Sequence, residues 1–473
     1  MNDFRMLIDG ARVAGESGSF DVINPATGAA FAQCPAGSLA QLNQAVDAAG
    51  NAFKQWKHST HEDRCKRLHA IADDLEREAA ELARLIVQEQ GKPLALAMSE
   101  VMGSVVWTRY SAEQEIPVEL VEDNANQRIE LHRKPLGVVA SITPWNWPFM
   151  IAVWHIIPAL RAGNCVVSKP SSLTPLSTLR LVEIIARHVP KGVINIVTGE
   201  RGFGGAIATH PNINKIVFTG STPTGQSVMR AAAGNLKRLT LELGGNDAAI
   251  VLPGTPVEAV VEDIFKAAFL NMGQTCSALK RLYVHESQYD AFAEALAAIA
   301  RRQVVGDGLE PGTDFGPVQN LDQLELVSAL VEDARAQGAR VLTGGVRLDR
   351  PGFFYPPTIV TGVTDGQRLV DEEQFGPVLP VIAYSDVKDA LRRANASDMG
   401  LGGSVWGTDL EQAQAVAGEL ESGVAWVNCH AQIQPNTPFG GSKLSGFGVE
   451  FGLEGLLEFT AQQLKFVRKA APQ

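Results

Sequence analysis

The period of the apolar positions changes along the chain. Short strand-like runs open the sequence, and helical spacing follows. In "LNQAVDAAGNAFKQW" the residues Val46, Ala49, Phe53 and Trp56 fall on one helical face. In "RLHAIADDLEREAAELARLIVQEQGKP" the apolar positions Leu68, Ile71, Leu75, Ala79, Leu82 and Ile86 keep that spacing. This predicts a helix that stops at Gly91, with Pro93 beyond. From Gly137 the texture changes to "VVASI", "CVVS", "VINIV", "KIVF" and "LTLEL", separated by helical patterns. Their starts lie roughly 22 to 28 residues apart, which suits β-α units and a parallel, doubly wound sheet. Such a sheet binds ligands beyond the carboxyl ends of its strands.

A second α/β stretch follows. "DAAIVL", "RLYVH", "ARVL", "VLPVIAY" and "SVWG" alternate with helices such as "YDAFAEALAAIARR" and "LEQAQAVAGEL". Between the first helices and the first sheet, Pro117 to Gly137 reads as a hairpin turning at Asn124 and Asn126. The closing "LEFTAQQLKFVRK" reads as one more strand. Left alone, both would expose unpaired edges, so pairing with another copy of the chain is expected.

Length and charge narrow the picture. A chain of 473 residues is too long for one core and implies two or three domains. A net charge of −11 opposes binding to phosphate backbones, so nucleic acid is not an expected partner. The longest apolar stretch, Ile142 to Leu160, contains Pro144, Pro148 and Pro158 together with Asn146 and His155. Prolines inside a helix cost about 3 kcal/mol each, so a loop leading into a buried helix is expected, not a membrane span. "MNDFRMLIDGARV" lacks the apolar core of a secretory leader. The five cysteines, Cys34, Cys65, Cys165, Cys276 and Cys429, are odd in number and widely spaced. Neither a disulfide framework nor a metal site is expected, and a reducing cytoplasm fits.

Candidate chemistry comes from a few segments. In "FLNMGQTCSALKR" Cys276 sits among Gln274, Thr275 and Ser277. It is either a buried, inert thiol or a nucleophile suited to attack on a carbonyl, and its polar neighbours favour the second. Glu242 ends the strand of "LTLELGGND", where it reads as a strand-end carboxylate or a general base. "FTGSTPTG" leads from a strand into a helix N-terminus, a phosphate cradle in principle, and "GERGFGG" holds Gly202 and Gly204 at GxG spacing. Lys169 follows "CVVS" as a solvated charge or a ribose or phosphate ligand, and Asn146 in "TPWNWPF" could donate to an oxyanion. Phe375 reads as core or as a cofactor platform.

Taken in order, "PWNWPF", "KPSSLTPLS", "FTGSTPTG", "LELGGNDAAIV", "GQTCSALKR", "EEQFGPVLPV" and "PFGGSKLSGFG" resemble the aldehyde dehydrogenase superfamily over nearly the whole chain. The resemblance implies an α/β fold with a Rossmann-type cofactor domain (1–116 and 137–244), a catalytic domain (245–445) and bridging segments used in oligomerisation (117–136 and 446–473). It implies NAD- or NADP-dependent oxidation of an aldehyde in a homodimer or homotetramer. Cys276 would be the nucleophile and Glu242 the general base. Asn146 and the Cys276 amide would form the oxyanion hole. Lys169 and Glu373 would hold the riboses, Phe375 would lie near the nicotinamide and Ser221 would meet the pyrophosphate. Trp145, Ser172, Gly220, Gly225 and Leu243 would complete the cofactor site.

Two positions depart from patterns in related enzymes. Ser172 stands where NAD-preferring members often carry Glu, so use of both cofactors is expected. Leu270 stands where succinate-semialdehyde enzymes often carry Arg. With Trp147, Trp154 and Ile433 it implies an apolar tunnel for medium-chain aliphatic or aromatic aldehydes. Three alternatives stay open: a semialdehyde dehydrogenase, a CoA-acylating enzyme (whose relatives generally lack the base) and a non-catalytic binding or structural protein.

Overall fold

The computed structural model describes residues 3–200 and 202–469. The predicted strands of the first sheet are β1 (Val138–Ile142), β2 (Cys165–Lys169), β3 (Ile194–Ile196), β4 (Lys215–Thr219) and β5 (Arg238–Glu242). They are parallel in the spatial order β3-β2-β1-β4-β5. Their β-branched residues are buried on both faces, as a sheet covered by helices requires. Short antiparallel strands at Met6–Ile8 and Gly446–Phe447 extend the two edges.

The second sheet holds β6 (Asp247–Val251), β7 (Leu279–His285), β8 (Thr358–Thr361), β9 (Val378–Tyr384), β10 (Gly402–Trp406) and β11 (Val424–Val427). They are parallel in the order β8-β9-β7-β6-β10-β11, and Arg340–Thr343 runs antiparallel beside β8. Alternate residues of β6 feed two cores. Ala248 and Ile250 pack on one side, Ala249 and Val251 on the other, the period of a strand.

Four helices precede the first sheet: α1 (Leu39–Trp56), α2 (His61–Arg77), α3 (Ala79–Gln90) and α4 (Leu94–Glu113). Ser38 caps α1 through a reciprocal box with Gln41. The helix expected to run on to Gly91 is broken at Glu78, whose backbone leaves helical geometry at φ −94° and ψ 6°. Its carboxylate bonds Arg187 and Arg180. The buried stripe from Leu68 to Ile86 nonetheless continues across the break. Gly91 closes α3 at φ +96°, a left-handed cap that costs glycine no Cβ clash.

Glu119–Asp123 and Gln127–Pro135 form the expected hairpin. The terminal strand Thr460–Arg468 pairs with Gln127–Pro135 in a three-stranded sheet, from Thr460 opposite Pro135 to Arg468 opposite Gln127. The segment after Ser445 therefore divides. Gly446–Phe447 joins the first sheet and the helix Gly452–Leu457 packs near Pro148–Arg161, so the hairpin receives only the strand from Thr460. Gly446 makes this pairing at φ +118°, pressed against the Leu241 carbonyl, where a side chain has no room.

Candidate active site

Parallel strands bring their carboxyl ends to one edge. Asn146 lies in the loop after β1, Lys169 ends β2, Gly220 and Ser221 follow β4, and Glu242 ends β5. Residues far apart in sequence thus share one rim. Helix α5 (Pro148–Arg161) starts just after Asn146, α6 (Leu176–Ala186) follows the loop bearing Ser172, and α7 (Thr222–Ala232) starts after Ser221. The chain then crosses to the second sheet through Leu243–Asn246. It returns in the loop bearing Cys276, just before β7.

A cleft of about 860 Å³ opens along this rim. Trp145, Lys169, Ser172, Gly220 and Ser221 line it, together with Gly202, Gly204 and Gly205. A Cβ at any of those last three glycines would meet nothing within 4 Å. Bare backbone and a helix start therefore face the space, an arrangement suited to a phosphate group. Burial lowers the Lys169 ammonium to about 8. Of the remaining cofactor candidates, Gly225 lets Leu243 pack against α7. Phe375, at φ +45°, meets Trp145 edge-on at 5.3 Å. The Glu373 carboxylate accepts from the Gly245 N–H at 2.9 Å and lies against Gly244. Burial lifts it to about 7.

Cys276 is one of five free thiols and is half-buried. The loop before it is held in an unusual form. Asn271, Met272 and Gly273 take successive positive φ values of 53°, 59° and 68°, costly for the first two and sustained by their contacts. Asn271 Nδ2 donates to the Asn146 carbonyl at 2.9 Å, and Gln274 Nε2 donates back to the Asn271 carbonyl at 3.0 Å. Asn146 Nδ2 donates to the Gln274 carbonyl at 3.0 Å, which leaves its second amide hydrogen for another acceptor. From the loop after β11, His430 Nε2 donates to the Ser277 carbonyl at 3.1 Å. Behind the loop, Gly245 lies against the Cys276 carbonyl.

The charged groups acting on Cys276 are carboxylates. Burial and the carboxylates of Glu242, Asp247 and Glu373 push the Cys276 thiol far above its ordinary value. Burial and Glu450 likewise raise Glu242 well above the carboxylate range. Glu242 is 4% exposed, and neither carboxylate oxygen has a hydrogen-bond partner among the described residues. Buried carboxylates are normally satisfied, so this one is free to take a proton or hold a water.

Trp147 and Trp154 follow Asn146 in the chain, Trp154 within α5. Trp147 donates to Thr275 Oγ1 at 3.1 Å. Trp154 packs with Trp107 at 5.7 Å and Phe451 at 4.7 Å between ring centres. Leu270 lines a separate hollow of about 500 Å³ with Leu96, Phe265 and Phe315, and Ile433 is half-buried in its own loop. Trp107, Phe451 and Glu450 did not stand out in the sequence. Each is an isolated residue whose partners lie far along the chain.

The aldehyde dehydrogenase family profile matches residues 13–465. The chain belongs to that family. It is 40% identical over 474 residues to a phenylacetaldehyde dehydrogenase from Pseudomonas fluorescens, covering 96% of this chain and 94% of the relative. It is 37% identical over 450 residues to retinaldehyde dehydrogenase 3 of Homo sapiens, covering 93% and 88%. Among solved structures, betaine aldehyde dehydrogenase from Staphylococcus aureus, in complex with NAD+, superposes with a TM-score of 0.96. The identity is 32%, covering 100% of this chain and 96% of that one. The protein is therefore an oxidoreductase acting on aldehydes with an aldehyde dehydrogenase fold. Among the described residues, no helix is long and apolar enough to cross a membrane.

Proposed function

We propose that this aldehyde dehydrogenase oxidises apolar, medium-chain aliphatic or aromatic aldehydes to carboxylic acids with NAD or NADP, through acylated Cys276. The observation that carries the hydrolytic reading is Glu242, buried near Cys276 with both oxygens free.

Burial and the neighbouring carboxylates favour the neutral thiol, so Cys276 gives up its proton to water as it attacks. Glu242 keeps both oxygens free of partners among the described residues, and its raised affinity for protons suits it to take one from water once the acyl group is in place. Cys276 adds to the aldehyde carbonyl to form a thiohemiacetal. The second Asn146 amide hydrogen and the Cys276 N–H hold the oxygen as it becomes negative. When bound, the dinucleotide supplies the hydride acceptor that leaves a thioester on Cys276. Glu242 takes a proton from water, the hydroxide adds to the thioester carbonyl, and the Cys276 thiolate leaves as the acid is released.

The cleft fits a dinucleotide: bare glycine backbone for the pyrophosphate, Lys169 and Ser172 near one another, and Phe375 against Trp145. Ser172 carries no charge to repel a 2′-phosphate, and Lys169 adds an attractive one, which supports NADP alongside NAD. The indole and phenyl rings of Trp147, Trp154, Trp107 and Phe451 support an apolar acyl chain. The phenylacetaldehyde-oxidising relative agrees with that class. The three-stranded hairpin sheet exposes Leu120, Leu464 and Phe466, which supports assembly into a homo-oligomer. The test is reduction of NAD and NADP at 340 nm across aliphatic, aromatic and acidic aldehydes. Turnover confined to acidic semialdehydes would overturn the substrate reading, and dependence on CoA would overturn hydrolysis.

A further inference from the structure

Lys92 and Glu100 form an ion pair with Nζ and Oε2 2.6 Å apart, and both side chains are fully buried. Burying two charges is a poor way to gain stability, because an apolar pair of similar volume serves as well or better. What the pair touches gives it a different role. Lys92 Nζ also donates to the Asn146 carbonyl at 2.9 Å and lies 3.6 Å from the centre of the Trp147 ring. The ammonium thus addresses a carboxylate, a carbonyl and an indole face. Glu100 Oε1 accepts from the N–H groups of Phe149 and Met150, at 3.0 and 3.1 Å, in the first turn of α5. Those N–H groups have no partner within their own helix. One pair therefore grips the main chain at Asn146 and again just after it.

We infer that Lys92 and Glu100 are positioning residues for the oxyanion donor, setting the peptide of Asn146 so that its side-chain amide meets the developing negative oxygen. This rests on Asn146 being that donor, as proposed above. The Asn146 carbonyl accepts from Lys92 on one side and from Asn271 of the cysteine loop on the other. Its orientation thereby links the first lobe to the loop that bears the nucleophile. A donor misplaced by about 1 Å can cost on the order of a hundredfold in rate, so a rigid grip on this peptide has catalytic consequence.

The experiment compares Lys92→Met, Glu100→Gln and the double variant, each with and without Asn146→Ala. It reads melting temperature, kcat and aldehyde KM. Either single variant leaves one buried charge unpaired and should melt lower. The double variant should recover most of the wild-type melting temperature, yet keep kcat at least about tenfold low with KM within about threefold. In the Asn146→Ala background, Lys92→Met should change kcat by less than about threefold, because its effect passes through Asn146. Recovery of kcat together with stability in the double variant would show a purely structural pair and overturn the inference. So would a full tenfold loss on adding Lys92→Met to Asn146→Ala. If the single variants do not fold, the double variant and its Asn146→Ala counterpart decide between the same outcomes. Wild-type kcat in Asn146→Ala alone would instead remove the oxyanion assignment, and the inference with it.

Discussion

Replacing Glu242 by Gln keeps the side chain's shape and removes its charge and its basicity. The consequences for rate and for stability run in opposite directions. A general base contributes on the order of 10² to 10⁴ in rate, so steady-state turnover should fall by about 3 to 5 kcal/mol of barrier. The first turnover should be less affected, because oxidation precedes hydrolysis, and a burst of reduced cofactor should remain. Stability should rise. A buried polar group without partners costs about 1–3 kcal/mol, and the Gln amide keeps part of that cost, so a gain of ~1 kcal/mol is expected. The sign follows from the direction of the shift. Burial and Glu450 raise the folded-state affinity of Glu242 for its proton above that of the unfolded chain. Its ionisation therefore destabilises the fold above the ordinary carboxylate range, and increasingly so up to the folded-state value. The advantage of the Gln variant should be present at pH 8 and vanish toward pH 4.5. Rapid-mixing absorbance at 340 nm and urea unfolding at the two pH values measure both halves. A variant with undiminished steady state, or one less stable than wild type at pH 8, would refute the reasoning.

Ser172→Glu should lower kcat/KM for NADP at least about tenfold, ~1.4 kcal/mol, while NAD use is kept or improved. An unchanged NADP-to-NAD ratio would show that position 172 does not discriminate. With Lys169 titrating at about 8 in the free protein, kcat/KM for NADP should fall as pH rises through that value, and Lys169→Met should abolish that limb of the profile. Phe466→Asp should give a smaller species by light scattering without unfolding, since Phe466 is 65% exposed on the hairpin sheet. An unchanged mass would show that this face does not take part in assembly.

Much of this was legible in the sequence because β-branched runs at regular intervals specify a parallel sheet, and a parallel sheet gathers its carboxyl ends. Asn146, Lys169, Ser221 and Glu242 could therefore be placed on one rim from the sequence alone. Short strands were less visible. Thr358–Thr361, which directly follows Pro356 and Pro357, and Val424–Val427 are four residues each and were not read as strands. The break at Glu78 was invisible because it leaves the buried face unchanged. Lys92 read only as part of a helix ending. Its meaning lies in Glu100, Asn146 and Trp147, which packing alone brings together. Glu450 was hidden for the same reason: it meets His155 at 3.3 Å and raises Glu242 across long stretches of chain.

An acyl group that passes through Cys276 can be caught there when its hydrolysis is slowed. The direct measurement mixes the Glu242→Gln protein with saturating NAD+ and phenylacetaldehyde, quenches in acid within the first turnover and weighs the peptides. One acyl group should appear on the peptide bearing Cys276, formed only when cofactor is present and matched by the burst of reduced cofactor. A burst with no such adduct, or an adduct on any of the other four cysteines, would contradict passage through Cys276.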